Sequence, residues 1–154
     1  PGLNDTDITL TGGYDFGIIR PALVYEYIKY DTPTGDLERN FWGVSATMEM
    51  GPGTWYAFYG RADDGRGSAA DGERVGGLTR GSDTASSQWE LSYTYPFSKR
   101  TKVYAGYVKL DNDQRAAYNF ANNPYTVNTS CQVTCTQGSN GKPGGFVLGM
   151  IHIF

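Results

Sequence analysis

At 154 residues the chain is long enough for one domain, and its formal net charge of −3, with no basic run, argues against a nucleic-acid partner. Its mean hydropathy of −0.46, with no apolar run near the ~18 residues of a helical span, excludes a membrane-crossing helix. Crossing by strands stays open, because such a strand turns only every second residue to lipid. The 14% aromatic content, led by 12 Tyr, suits membrane interfaces, where a ring is buried and its polar tip stays wet.

Seven segments alternate in hydrophobicity with period two, at about 7–17, 18–30, 40–50, 54–63, 86–97, 101–111 and 145–154. Each is close to the ~9–11 residues that a tilted strand needs to cross a bilayer. The first sets Ile8, Leu10, Tyr14 and Phe16 against Asp7, Thr9, Thr11 and Asp15, and the second sets Leu23, Tyr25 and Tyr27 against Arg20 and Glu26. The third opposes Trp42, Val44, Ala46, Met48 and Met50 to Phe41, Gly43, Ser45, Thr47 and Glu49. The fourth carries rings on both sides, Trp55 and Tyr59 against Tyr56 and Phe58. The fifth is the clearest, with Trp89, Leu91, Tyr93, Tyr95 and Phe97 on one face and Gln88, Glu90, Ser92 and Thr94 on the other. In the sixth, Tyr104, Val108 and Leu110 compete with Val103, Ala105 and Tyr107 for the apolar face. The last puts Phe146, Leu148, Met150, His152 and Phe154 on one face.

The connections alternate short and long: Asp15–Ile18 short, Asp31–Arg39 longer, Gly51–Gly53 short, Asp64–Ala85 long, Ser98–Arg100 short, Asn112–Gly144 very long. That parity is the asymmetry of an outer-membrane β-barrel, with periplasmic turns and extracellular loops, and it predicts an all-β transmembrane antiparallel barrel. The long loops are expected at about 64–85 and 112–144. With Phe154 at the periplasmic end, seven strands put the N-terminus outside, whereas whole barrels of this class have an even strand number. The expectation is therefore a part of one barrel domain, since open sheet edges are not tolerated in lipid. The opening Pro1-Gly2-Leu3-Asn4-Asp5 has neither a basic start nor an apolar stretch, so a signal has been removed or the chain starts inside a longer protein. Cys131 and Cys135 sit close together in a polar stretch, which suggests a small local disulfide that stiffens its loop, two free thiols being the alternative.

Three stretches carry a family resemblance. Tyr95-Pro-Phe-Ser-Lys-Arg-Thr-Lys-Val-Tyr-Ala-Gly-Tyr107 is similar to the penultimate turn and strand, with their Leu-Ser-Lys-Arg-Thr pattern followed by Tyr-Ala, of general trimeric porins of the Gram-negative, beta-proteobacterial type. Gly145–Phe154 resembles their closing strand, Gly-x-x-x-Gly-(Met/Leu)-x-His-x-Phe, and Trp89–Tyr95 the strand before that turn. Ile151 and Ile153 depart from the pattern, standing on the non-lipid face where the family often has basic residues, and Pro96 fits a strand end. The resemblance implies the C-terminal half of a 16-stranded barrel in a homotrimer. It would be a water-filled channel for passive diffusion of small hydrophilic solutes and ions, without cofactor or metal. The loop that narrows such pores lies in the family's N-terminal half, outside this sequence. A terminal Phe with alternating apolar residues, here Phe146, Leu148, Met150, His152 and Phe154, resembles the tag read by the barrel-assembly machinery through strand addition.

Five charged residues read as mid-strand and polar-face: Arg20, Glu26, Glu49, Arg61 and Glu90. A lipid-facing Arg at the midplane costs about 2–4 kcal/mol, so these are the candidate pore-lining residues, whether they steer ions or stand paired and solvated along the wall. Asp63, Asp64, Asp71 and Glu73, with Arg61, Arg66 and Arg74, form a loop cluster open to a divalent-cation or lipopolysaccharide contact, although the spacing matches no Ca²⁺ loop and a solvated loop is the simpler reading. The single His152 reads as an interfacial residue, and nothing else points to an enzyme. Two rival architectures remain. A small plugged barrel serving as adhesin or structural anchor would need an eighth strand inside 112–144, for instance Tyr118–Val127. A secreted β-sandwich binding module would be soluble without detergent.

Overall fold

The computed structural model describes residues 4–120 and 140–154, and all of its regular elements are strands. They are β1 (Thr6–Gly13), β2 (Ile19–Thr32), β3 (Gly35–Met50), β4 (Gly53–Ala62), the short β5 (Arg74–Val75) and β6 (Leu78–Thr79), β7 (Ser86–Pro96), β8 (Thr101–Asn112) and β9 (Gly144–His152). Seven of them form one antiparallel meander in the order β1-β2-β3-β4-β7-β8-β9, each strand beside its neighbour in sequence. β5 and β6 pair separately as a small hairpin within the long connection from β4 to β7.

Cross-strand register fixes the two faces, because partners on adjacent strands share a side. Leu23, Val44, Tyr59 and Trp89 follow one another across β2, β3, β4 and β7, and the next row on that side runs through Pro21, Ala46, Ala57, Leu91, Tyr107 and Phe146. The opposite side carries Ala22, Ser45, Phe58, Glu90 and Val108 in one row. The competition in the sixth segment is thereby resolved: Val103, Ala105 and Tyr107 join the aromatic face, and Tyr104, Val108 and Leu110 the polar one.

The aromatic face shows two belts. Near the loop end, Trp42 and Tyr59 are 5.5 Å apart, Trp89 and Tyr107 5.2 Å, and Tyr107 and Phe146 4.7 Å between ring centroids. Near the turn end, Trp55 meets Tyr93 at 4.8 Å and His152 meets Phe154 edge-on at 4.9 Å. Between them lie small and aliphatic side chains such as Val44, Ala57, Leu91 and Leu148, the last 81% exposed. An exposed apolar band flanked by aromatic girdles is what a strand face needs to meet lipid.

Three tight turns, over 14–18, 51–52 and 97–100, share the end opposite the long loops. Tyr14 and Phe16, expected in the first strand, fall in the first of these, where their N–H groups donate to Pro21 and Ile19 carbonyls. The second connection differs from the loop expected over Asp31–Arg39. β2 and β3 run on to a two-residue turn at Pro33–Thr34, so β3 reaches 16 residues. The excess over a ~9–11-residue crossing projects beyond the membrane as an extended hairpin. The alternating charges that read as loop are its cross-strand pairs, with Lys29 Nζ 2.9 Å from Asp36 and 3.9 Å from Asp31.

The compact packing lies at that end, not in the wall. The chain leaving β4 follows the free edge of β3, with Glu38 and Arg66 exchanging backbone bonds of 2.9 and 2.8 Å. It then folds over the polar side of the hairpin. Leu37, fully buried, packs with Ala69 and Leu78 against Tyr30 and Val75. Gly67 makes that path possible: its φ is +106°, and a Cβ there would collide with the Asp36 carbonyl oxygen. The loop acids are absorbed by this cap. Asp64 accepts the Thr84 and Ala85 N–H groups at 2.7 and 2.8 Å, Asp71 takes a two-pronged contact from Arg115, and Glu73 accepts the Thr34 hydroxyl. Residues 113–120 add no strand, and 121–127 of the segment that could hide an eighth lie outside the described residues, as do Cys131 and Cys135.

Candidate functional site

The polar face of the sheet is the candidate site. Its centre combines hydroxyls and glycines with a few large rings that lie flat. A Cβ on Gly43 would be 2.9 Å from the Phe58 ring, and one on Gly60 2.7 Å, so Phe58 covers both glycines on neighbouring strands. Tyr104 lies over Gly149 of β9 in the same way, and the missing side chain is what lets the ring rest on the backbone. Flat rings and small residues leave the space above the wall open.

Arg20 and Glu49 stand on this face at the turn end, where Arg20 Nη2 meets Glu49 at 2.7 Å and its Nε meets Asp15 of the first turn at 3.0 Å. The Gly17 N–H, 2.7 Å from Asp15, and next the Arg20 guanidinium hold the Asp15 carboxyl below its ordinary value. Glu26 stands near the loop end, 3.2 Å from Arg39 Nη2. Glu90 stands mid-strand on β7, between Phe58 of β4 and Val108 of β8.

Arg61 is a correction. It pairs with Trp42 on one side and Ser87 on the other, which puts it on the aromatic face, one residue from the end of β4. It escapes the membrane there, reaching Asp63 at 4.0 Å and Asp113 at 3.7 Å.

Two charged residues of the polar face come from the structure. Arg39 lay inside the expected loop; extending the parity of Phe41 and Gly43 by one step would have placed it. Its guanidinium joins Glu26, donates to the Tyr118 hydroxyl at 3.2 Å and lies 5.7 Å from the centre of that ring. The wall and the cap are thus tied together over a recess of about 330 Å³ lined by Glu26, Arg39, Phe41, Gln88 and Tyr118. Lys102 lies beside the last tight turn, opposite Pro96 and Ile151. Ile151 stands on the polar face at the sheet's edge and is 52% exposed. Of the residues expected to form the assembly tag, Phe146, Leu148, Met150 and His152 alternate on the aromatic face of β9, with Thr101 Oγ1 2.9 Å from His152 Nδ1, and Phe154 lies just past the strand against the His152 ring.

A single meander with one face for lipid and one for water, tight turns at one end and large loops at the other, defines an integral β-barrel protein of the bacterial outer membrane. A model of the Gram-negative porin family matches residues 2–115, most of the chain, and the protein belongs to that family. Among solved structures, the anion-selective porin from Comamonas acidovorans is similar to this chain, with a TM-score of 0.70 at 20% sequence identity. The match covers 99% of this chain and 40% of that one, so the chain spans well under half the length of its structural neighbour. Comparison with curated proteins finds no match.

Proposed function

We propose that the chain builds part of the wall of a water-filled outer-membrane channel for passive diffusion of small hydrophilic solutes and ions. The observation that carries this reading is the two-faced wall: Glu26, Arg39 and Glu90 share a side with hydroxyls and glycines, while the other side is a lipid band between two aromatic belts. A charge at mid-wall, as Glu90 is, is stable only against water, and water on that side is a pore. Such a channel has no reaction to catalyse and needs no cofactor. Flow follows the solute gradient through a rigid opening, with wall charge acting on what enters.

Further strands close the barrel in this reading. Seven strands in a chain spanning 40% of its porin neighbour leave more than half of the barrel to other segments, and the family resemblance sets the whole at 16 strands. The whole protein is proposed as a homotrimer in the porin manner. Lys29, Arg61 and Lys109 lie on the outward face at the loop end, at or beyond the outer aromatic belt, where lipopolysaccharide phosphates would meet them. The alternating apolar side chains of β9, ending at Phe154, suit recognition by the barrel-assembly machinery. The anion selectivity in the neighbour's name has no counterpart in the charge of this wall, where Asp7, Glu26, Glu49 and Glu90 stand against Arg20, Arg39 and Lys102.

The test is single-channel recording of the natively purified full-length protein in a planar bilayer. Large stable steps closing in thirds are expected. Folded, detergent-soluble protein that never conducts would sink the channel reading and leave a plugged adhesin or structural anchor.

A further inference from the structure

We propose that Glu90 is the residue of this wall that decides between cations and anions, and that it favours small cations. The proposal rests on the channel reading above and adds a sign and a residue to it. On the polar faces of β4, β7 and β9, Glu90 is the one charged side chain among the described residues, and on β8 the one charge is Lys102, beside the turn. Elsewhere on that face the charges stand at the two ends of the wall, not midway along it. Arg20 is held between Asp15 and Glu49, and Arg39 is bound to Glu26. Asp7, at the outer end of β1, accepts the Thr9 hydroxyl. Glu90 has no cation within ion-pair distance among the described residues, and it sits in the middle of its strand, half-exposed.

A bound pair presents a passing ion with a dipole, whose field decays quickly. A lone carboxylate presents a whole charge. Glu90 is also flanked across the strands by Phe58 and Val108, so apolar surface lies to either side and its field is directed into the open space. At ~0.1 M salt such a field reaches about 10 Å, and at ~1 M about 3 Å, so the preference belongs to low salt.

The experiment is the reversal potential of the full-length protein in a planar bilayer under a KCl gradient, for the parent, Glu90→Gln and Glu90→Lys. Around 0.1 M, Glu90→Gln is expected to lower the K⁺ to Cl⁻ permeability ratio about two-fold and Glu90→Lys about two-fold again, both differences shrinking near 1 M. Glu90→Gln keeps the side chain's shape, so the test stands even where the lysine variant fails to insert. Conducting variants that keep the parent's reversal potential at low salt overturn the proposal alone. A parent that never conducts overturns the channel reading, and the proposal with it.

Discussion

Leu37 is the side chain on which the cap at the loop end turns. It is fully buried between the extended hairpin and the loop that follows β4. Leu37→Ala is expected to cost about 2–5 kcal/mol locally. The readout is faster proteolysis within 63–85, with the barrel's resistance to denaturation left nearly as before, because the wall does not share that core. At the other end, Asp15 is a probe of the rim. Its carboxyl titrates below its ordinary value because the Gly17 N–H and Arg20 favour the charged form. A group with a lowered folded pKa adds stability above its unfolded pKa and loses it as pH falls through the folded one. An NMR titration of Asp15 should therefore give a midpoint below the ~3.9 of a free aspartate, and Arg20→Gln should move it upward. A midpoint unmoved by Arg20→Gln would remove the guanidinium from the explanation.

β7 shows the element scale most plainly, since adjacent residues on it face different solvents. Leu91→Arg puts a guanidinium in lipid and is expected to destabilise the folded barrel by about 2–4 kcal/mol in a urea titration in liposomes, while Ser92→Arg, facing water, should cost under about 1 kcal/mol. Equal costs would refute the facing assigned to this strand. β3 and β7 were legible in the sequence because their alternation is clean. β8 was not, because both of its faces are apolar; Tyr104 stays on the polar side by lying over Gly149, and Leu110 by being buried near the cap. The parity of Arg61 with Trp55 and Tyr59 was visible too, but with Tyr56 and Phe58 opposite them, composition could not say which side meets lipid. The hairpin tip misled for another reason: Lys29 and Asp36 are hydrophilic singly, and only their register turns them into a strand pair. Arg39 was lost with that tip, and with it the tie to Tyr118. The short–long order of connections, by contrast, pointed to the right architecture although one of its long loops is a hairpin.

At the scale of the molecule, one division governs the rest: the side holding Trp42, Leu91 and Leu148 meets lipid, and the side holding Ser45, Phe58 and Glu90 meets water. A sheet wet on both faces would be no membrane wall, and a sheet dry on both would hold no pore. The most direct measurement is spin-label accessibility in the reconstituted full-length protein, with Cys131 and Cys135 replaced by serine and single labels placed through Val44→Cys, Ser45→Cys, Leu91→Cys and Ser92→Cys. Labels at 44 and 91 should collide readily with dissolved oxygen and rarely with a water-soluble nickel chelate, and labels at 45 and 92 should show the reverse. Equal accessibility at adjacent positions, or the opposite order, would contradict the two-faced wall and the channel built on it.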